Sequence, residues 1–106
     1  MNIETEVLWL DEHRVVSLTE LVEISGLREA ELLELVSAGA LPARDAPEGG
    51  LAFSARVVTM ARTACRLRDD FELDTRGLAV ALRLLERVRD LEGEISRLRA
   101  QLPRSL

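Results

Sequence analysis

The chain has no tyrosine, one cysteine, one histidine and one tryptophan in 106 residues, and its fourteen basic side chains are all arginine. Each shortage removes a class of protein. A lone Cys65 cannot build a disulfide framework, which fits a reducing compartment. Cys65 and His13 together supply too few ligands for a structural zinc site, so no metal is expected. His13 falls in a surface turn with no ordered base beside it, so neither a Ser-His nor a Cys-His nucleophile can be assembled and no catalytic residue is assigned. Glu48-Gly49-Gly50 is a turn rather than a phosphate-cradling loop, and no cofactor is expected. No apolar run approaches the roughly 20 residues of a membrane span, and the N-terminus lacks the order of a signal peptide. A soluble cytoplasmic protein is expected, with no membrane partner.

What remains is 47% apolar and dominated by Leu, Val and Ala, a composition that favours helices and supports one modest core. The net charge of −5 hides a polarity. Residues 1–50 hold eleven acidic side chains against three Arg, a net −8, whereas residues 51–106 hold eight against eleven Arg, a net +3.

Val7-Leu8-Trp9-Leu10 and Val15-Val16 suggest a small hairpin ahead of the first helix. Ser17-Leu18-Thr19-Glu20 is a capping box, with Val16 and Leu21 as its staple. Leu18, Leu21, Val22 and Leu27 give the first helix an apolar face, and Gly26 stops it. A second helix is expected from about Arg28 to Ala38, with Leu32, Leu33 and Val36 inward and a poor cap at Arg28. Two short helices around a glycine turn make a helix-turn-helix unit. Leu41 to Phe53, with its Pro/Gly-rich tip, reads as a wing. Ser54 should cap a third helix whose inward face is Val57, Ala61, Ala64, Leu67 and Phe71. Cys65 borders that face and is expected to be a buried, inert thiol.

Asp74 is a good N-cap for the last helix, with Leu73 and Leu78 as staple. That helix carries Ala81, Leu84, Val88, Leu91, Ile95, Leu98 and Leu102 in strict 3-4 alternation, the a and d positions of a heptad. Leu84 to Leu102 are therefore the expected homodimerisation residues, although the stripe could also pack on its own domain. The flanking Arg87, Glu92, Glu94 and Arg99 attract in a parallel pair and in one antiparallel register, so charge does not set orientation.

The order helix-turn-helix, wing, helix, turn, long helix resembles a MerR-type protein. The expected fold is mainly α: a MerR-like winged helix-turn-helix with a small β wing/hairpin and a long C-terminal heptad helix. Residues 1–72 would be the head and 73–106 the stalk, in one compact domain. DNA binding would send the second helix into the major groove. Its expected exposed side chains are Glu29, Glu31 and Glu34, preceded by Glu20 and Glu23, and these repel phosphate. Where the MerR family typically carries Arg-Tyr-Tyr in that helix and Gly-Tyr-Arg-x-Tyr in the wing, this chain has Ala30-Glu31-Leu32-Leu33 and Gly49-Gly50-Leu51-Ala52-Phe53. The charge argues against nucleic acid as a partner. A MerR-type transcriptional regulator with a degenerate reading head remains the alternative, and a dimeric scaffold a third reading.

The pattern of Arg66, Leu67, Arg68, Leu73, Asp74, Gly77, Ala79, Val80, Ala81 and Leu82 closely resembles the CbpM family of chaperone modulators. That resemblance implies binding to the J-domain of a DnaJ-like co-chaperone, whose second helix is rich in Lys and Arg, and inhibition of its stimulation of DnaK. The acidic face could equally be a solvated surface; as a docking face it would offer Glu20, Glu23, Glu31 and Glu34. Leu51 and Phe53 are candidate apolar anchors, with core packing the commoner role for Phe53. Arg66 and Arg68 could pair with Asp70 or Asp74, or touch the partner.

Overall fold

A computed structural model describes residues 15–103. The first arm of the expected hairpin, Val7 to Leu10, and His13 lie outside them. The chain runs β1 (Val16–Ser17), α1 (Leu18–Ser25), α2 (Glu29–Ser37), β2 (Arg44–Asp45), β3 (Leu51–Phe53), α3 (Ala55–Phe71) and α4 (Thr75–Gln101). The result is mainly α with one small antiparallel sheet of order β1-β3-β2. The wing is β2 paired with β3, Arg44 opposite Ala52 and Asp45 opposite Leu51. Val16 pairs with Phe53 across β1 and β3, so the wing is tied to the entry of α1.

Local chemistry explains most element boundaries. The Ser17 amide donates to Glu20 Oε1 at 2.9 Å while Ser17 Oγ accepts from the Glu20 amide at 3.1 Å, closing the capping box at the start of α1. Gly26 ends α1 in the left-handed region, φ 85°. A side chain there is excluded twice, because a Cβ would also lie 2.9 Å from Cys65 Sγ on α3. Gly26→Ala should therefore cost about 2 kcal/mol or more in urea unfolding. Cys65→Ala in that background should recover the steric part and leave the backbone part.

Several expectations need correction. The inward residues of α2 are Leu32 and Leu35, with Val36 half-buried; Leu33 faces outward. The helix starts at Glu29, and its facing is set by the contact with α4, which the local apolar pattern does not reveal. Ser54 occupies the N-cap position of α3 but its hydroxyl makes no capping bond. Phe71, at the end of the apolar face of α3, is 67% exposed because the helix overshoots the core before Glu72, in the left-handed region at φ 53°, turns the chain.

The core joins Val16, Leu21, Leu27, Leu32, Leu35, Phe53, Val57, Val58, Ala61 and Ala64 to Leu78, Ala79 and Leu82 of α4. Asp74 caps α4 by accepting from the Gly77 amide at 2.8 Å. Gly77 admits this close approach: a Cβ there would sit 3.3 Å from the Asp74 carboxylate and 3.4 Å from Leu73. Beyond Leu82 the helix leaves the core. The radius of gyration of 16.0 Å exceeds the roughly 13 Å of a compact chain this long, because α4 projects.

Candidate partner-docking interface

The eight residues expected at a partner surface separate into three groups. Glu23 and Glu34 are exposed on the outer sides of α1 and α2, and Arg66 is exposed on α3. Glu20 is partly buried and spends its carboxylate on the Ser17 amide. Leu51 is half-buried in the wing, and Phe53 is fully buried and available only as core.

Glu31 and Arg68 form the third group, and they are joined to each other. Glu31 is 6% exposed, contrary to its expected place on the acidic face. Its Oε1 accepts from Arg68 Nη1 at 2.6 Å, from the Arg28 amide at 2.9 Å and from Arg28 Nε at 3.3 Å. Arg68 also reaches the Gly26 carbonyl at 3.5 Å and Asp69 Oδ1 at 3.1 Å. One guanidinium thus fastens the α1–α2 turn and the first turn of α2 to α3. It also remedies the poor cap at Arg28, since Glu31 reaches back to the amide that Ser or Asp would leave to a capping box. Arg68 therefore pairs with neither Asp70 nor Asp74.

Burial works to raise the Glu31 pKa, but the Arg28 amide and guanidinium and the Arg68 charge outweigh it and hold the carboxyl below its usual 4.5. A folded pKa below the unfolded one stabilises above the unfolded value, and the contribution is lost as pH falls through the folded value. Acid titration of the folded chain should show a loss of stability below pH 4.5 that is smaller in Glu31→Gln than in the wild type. Thermal melts at stepped pH check this. On Cys65, half-buried, burial raises the thiol pKa above the usual 9.0, with Arg68 opposing and Asp69 adding to the rise.

What stays exposed on α2 is Glu29, Ala30, Leu33, Glu34 and Ser37. Leu33 is 40% exposed, one helical turn after Glu29 and adjacent to Glu34; Ile24, beside Glu23 on α1, is 36% exposed. Acidic and aliphatic side chains are thus exposed together on each helix, and Leu33 is the feature the sequence pattern hid by suggesting it pointed inward.

The stripe on α4 is the second surface. Leu84, Val88, Leu91, Ile95, Leu98 and Leu102 are between 39% and 67% exposed. At about 100° per residue they lie nearly opposite Leu78, Ala79 and Leu82, which hold the head. The stripe thus does not fold back on its own domain. Among the described residues no group of His, Cys, Asp or Glu could hold a metal ion, and no helix is long and apolar enough to cross a membrane.

Residues 16–100 match the model of the MerR HTH family regulatory proteins. The chain is also 34% identical, over 88 residues, to the chaperone modulatory protein CbpM of Escherichia coli O139:H28 and to that of Shigella boydii serotype 18. Each alignment spans 83% of this chain and 87% of the relative. At that identity and coverage, on a MerR-like frame, the chain belongs to the CbpM family of chaperone modulators.

Proposed function

We propose that this protein is a chaperone modulator that acts in the cytoplasm by occupying the J-domain of a DnaJ-like co-chaperone, preventing it from stimulating DnaK. The observation that carries the reading is the exposure of Glu23 and Ile24 on α1 and of Glu29, Leu33 and Glu34 on α2. The carboxylates steer a Lys/Arg-rich helix and set its register, while the aliphatic side chains supply affinity by leaving water. Glu31 and Arg68 act beneath this face as supports, and Glu20 holds the start of α1. The long helix pairs two copies through Leu84, Val88, Leu91, Ile95, Leu98 and Leu102, making the unit a homodimer whose stalk is α4 beyond Leu82, since the first turns of the expected 73–106 stalk belong to the head's core. Arg66 is exposed on α3 and could meet the partner's carboxylates at the edge of the contact.

Calorimetric titration with the cognate DnaJ-like protein tests this. Leu33→Ala should weaken binding by about tenfold or more, the worth of a buried aliphatic anchor. The pair Glu23→Lys and Glu34→Lys should weaken it further and flatten its salt dependence. Absence of binding at micromolar concentration in low salt would sink the proposal. The MerR frame sustains one alternative, a DNA-binding regulator. Its exposed α2 face offers phosphate Glu29 and Glu34, with Arg28 alone at the helix start. Salt-sensitive binding to duplex DNA, unchanged by the Leu33 substitution, would favour that reading instead.

A further inference from the structure

We infer that the protein carries a second docking site, of opposite sign to the α1–α2 face: a groove that takes an acidic peptide segment bearing an aliphatic side chain. The groove, 280 Å³ in volume, lies between the loop after α2, the first turns of α3 and the middle of α4. Its floor is apolar, formed by the buried Ala40 and Met60 beside Pro42. Its rim is arginine-rich. Glu86 is already satisfied by Arg56 and by Arg89, the latter at 3.4 Å. Arg83 and Arg87, exposed and one turn apart on α4, make no ion pair or hydrogen bond with any described residue. Around the groove stand the guanidiniums of Arg56, Arg83 and Arg87 against the carboxylates of Glu86 and Asp90, a surplus of one positive charge. This net positive collar belongs to a chain whose total charge is −5.

Charge complementarity selects the occupant. Two unpartnered guanidiniums call for carboxylates, and fork-shaped donors bind them well. The apolar floor needs a hydrocarbon side chain between them. A nucleic-acid backbone supplies no such side chain. A peptide in which acidic and aliphatic residues alternate supplies both kinds of group. The groove lies roughly a third of a turn around α4 from the aliphatic stripe. Arg87 also flanks the aliphatic stripe, so the inference leans on Arg83, which neither J-domain docking nor self-pairing uses.

Fluorescence anisotropy of a labelled peptide alternating Glu and Leu, titrated with the full chain at low salt, tests the site. Binding is expected, with Arg83→Glu weakening it about tenfold or more and Arg83→Lys retaining most of it. Arg97→Glu, on the same helix beyond the groove, should leave it unchanged, and circular dichroism should show all three variants folded. Three outcomes would overturn the inference: no binding by the wild-type chain, equal weakening by Arg97→Glu, or displacement of the peptide by duplex DNA at matched ionic strength. The J-domain titration should be indifferent to Arg83→Glu, so the two sites fail separately.

Discussion

Arg68→Ala should lower the unfolding free energy by about 3 kcal/mol, the lower end of the cost of removing one partner from a buried ion pair. The loss is large because Glu31, 7% exposed in its side chain, would keep its charge and lose its closest donor, 2.6 Å away. It is not larger because the Arg28 amide and Nε still reach the same oxygen. For a domain this small, with total stability of about 5–15 kcal/mol, the variant would be marginal at physiological temperature. Urea unfolding followed by circular dichroism measures it. Glu31→Gln should cost less, about 1–2 kcal/mol, because the amide still accepts from Arg28 and Arg68 keeps Asp69. Glu31→Gln combined with Arg68→Met should then be less damaging than the sum of the singles. Strict additivity would mean that the two side chains act independently and would remove the strut from the argument.

With the stripe pairing two copies as proposed, Leu91→Asp should convert the dimer to a monomer. Leu91 lies midway along the stripe, and a two-fold pair places it, or its neighbours Val88 and Ile95, against the partner copy in either orientation. The substitution occurs twice per dimer. Each copy loses about 2 kcal/mol of aliphatic burial and gains a desolvated carboxylate, so the total is at least ~4 kcal/mol, about a thousandfold in Kd. Sedimentation equilibrium reads the change directly. The head should stay folded, because the stripe lies nearly opposite the residues that hold it. A wild-type chain that is monomeric at high micromolar concentration would refute the pairing outright. A Leu91→Asp dimer would show that association uses another surface.

Most local punctuation was legible from residue identity alone. The capping box at Ser17, the left-handed stop at Gly26, the Asp74 cap and the a/d stripe depend on chemistry within one or two turns. What escaped depends on distant partners. Arg68 and Glu31 are 37 residues apart; the local sign was that Glu31 stands three residues after the N-cap Arg28, where a glutamate reaches back to the cap amide, but it does not reveal Arg68. Leu33 and Leu35 are equally apolar, and only the packing of α2 on α4 decides which is covered. Phe53 had two possible roles until its pairing with Val16 drew it inside. Phe71 follows the helical repeat faithfully but arrives after the core has ended.

The outer side of α2 shares no residue with its inner side, and this makes the frame readily repurposed. Glu29, Ala30, Leu33, Glu34 and Ser37 point to solvent, while Leu32 and Leu35 hold the fold. Exchanges at such exposed positions usually change stability by less than about 0.5 kcal/mol. A lineage can therefore rewrite what this helix recognises without renegotiating how it folds. The exception is Glu31, where a change on α2 must be answered by a change at Arg68 on α3. Drift toward a new specificity should thus be fast around that glutamate and slow at it, with positions 31 and 68 changing together.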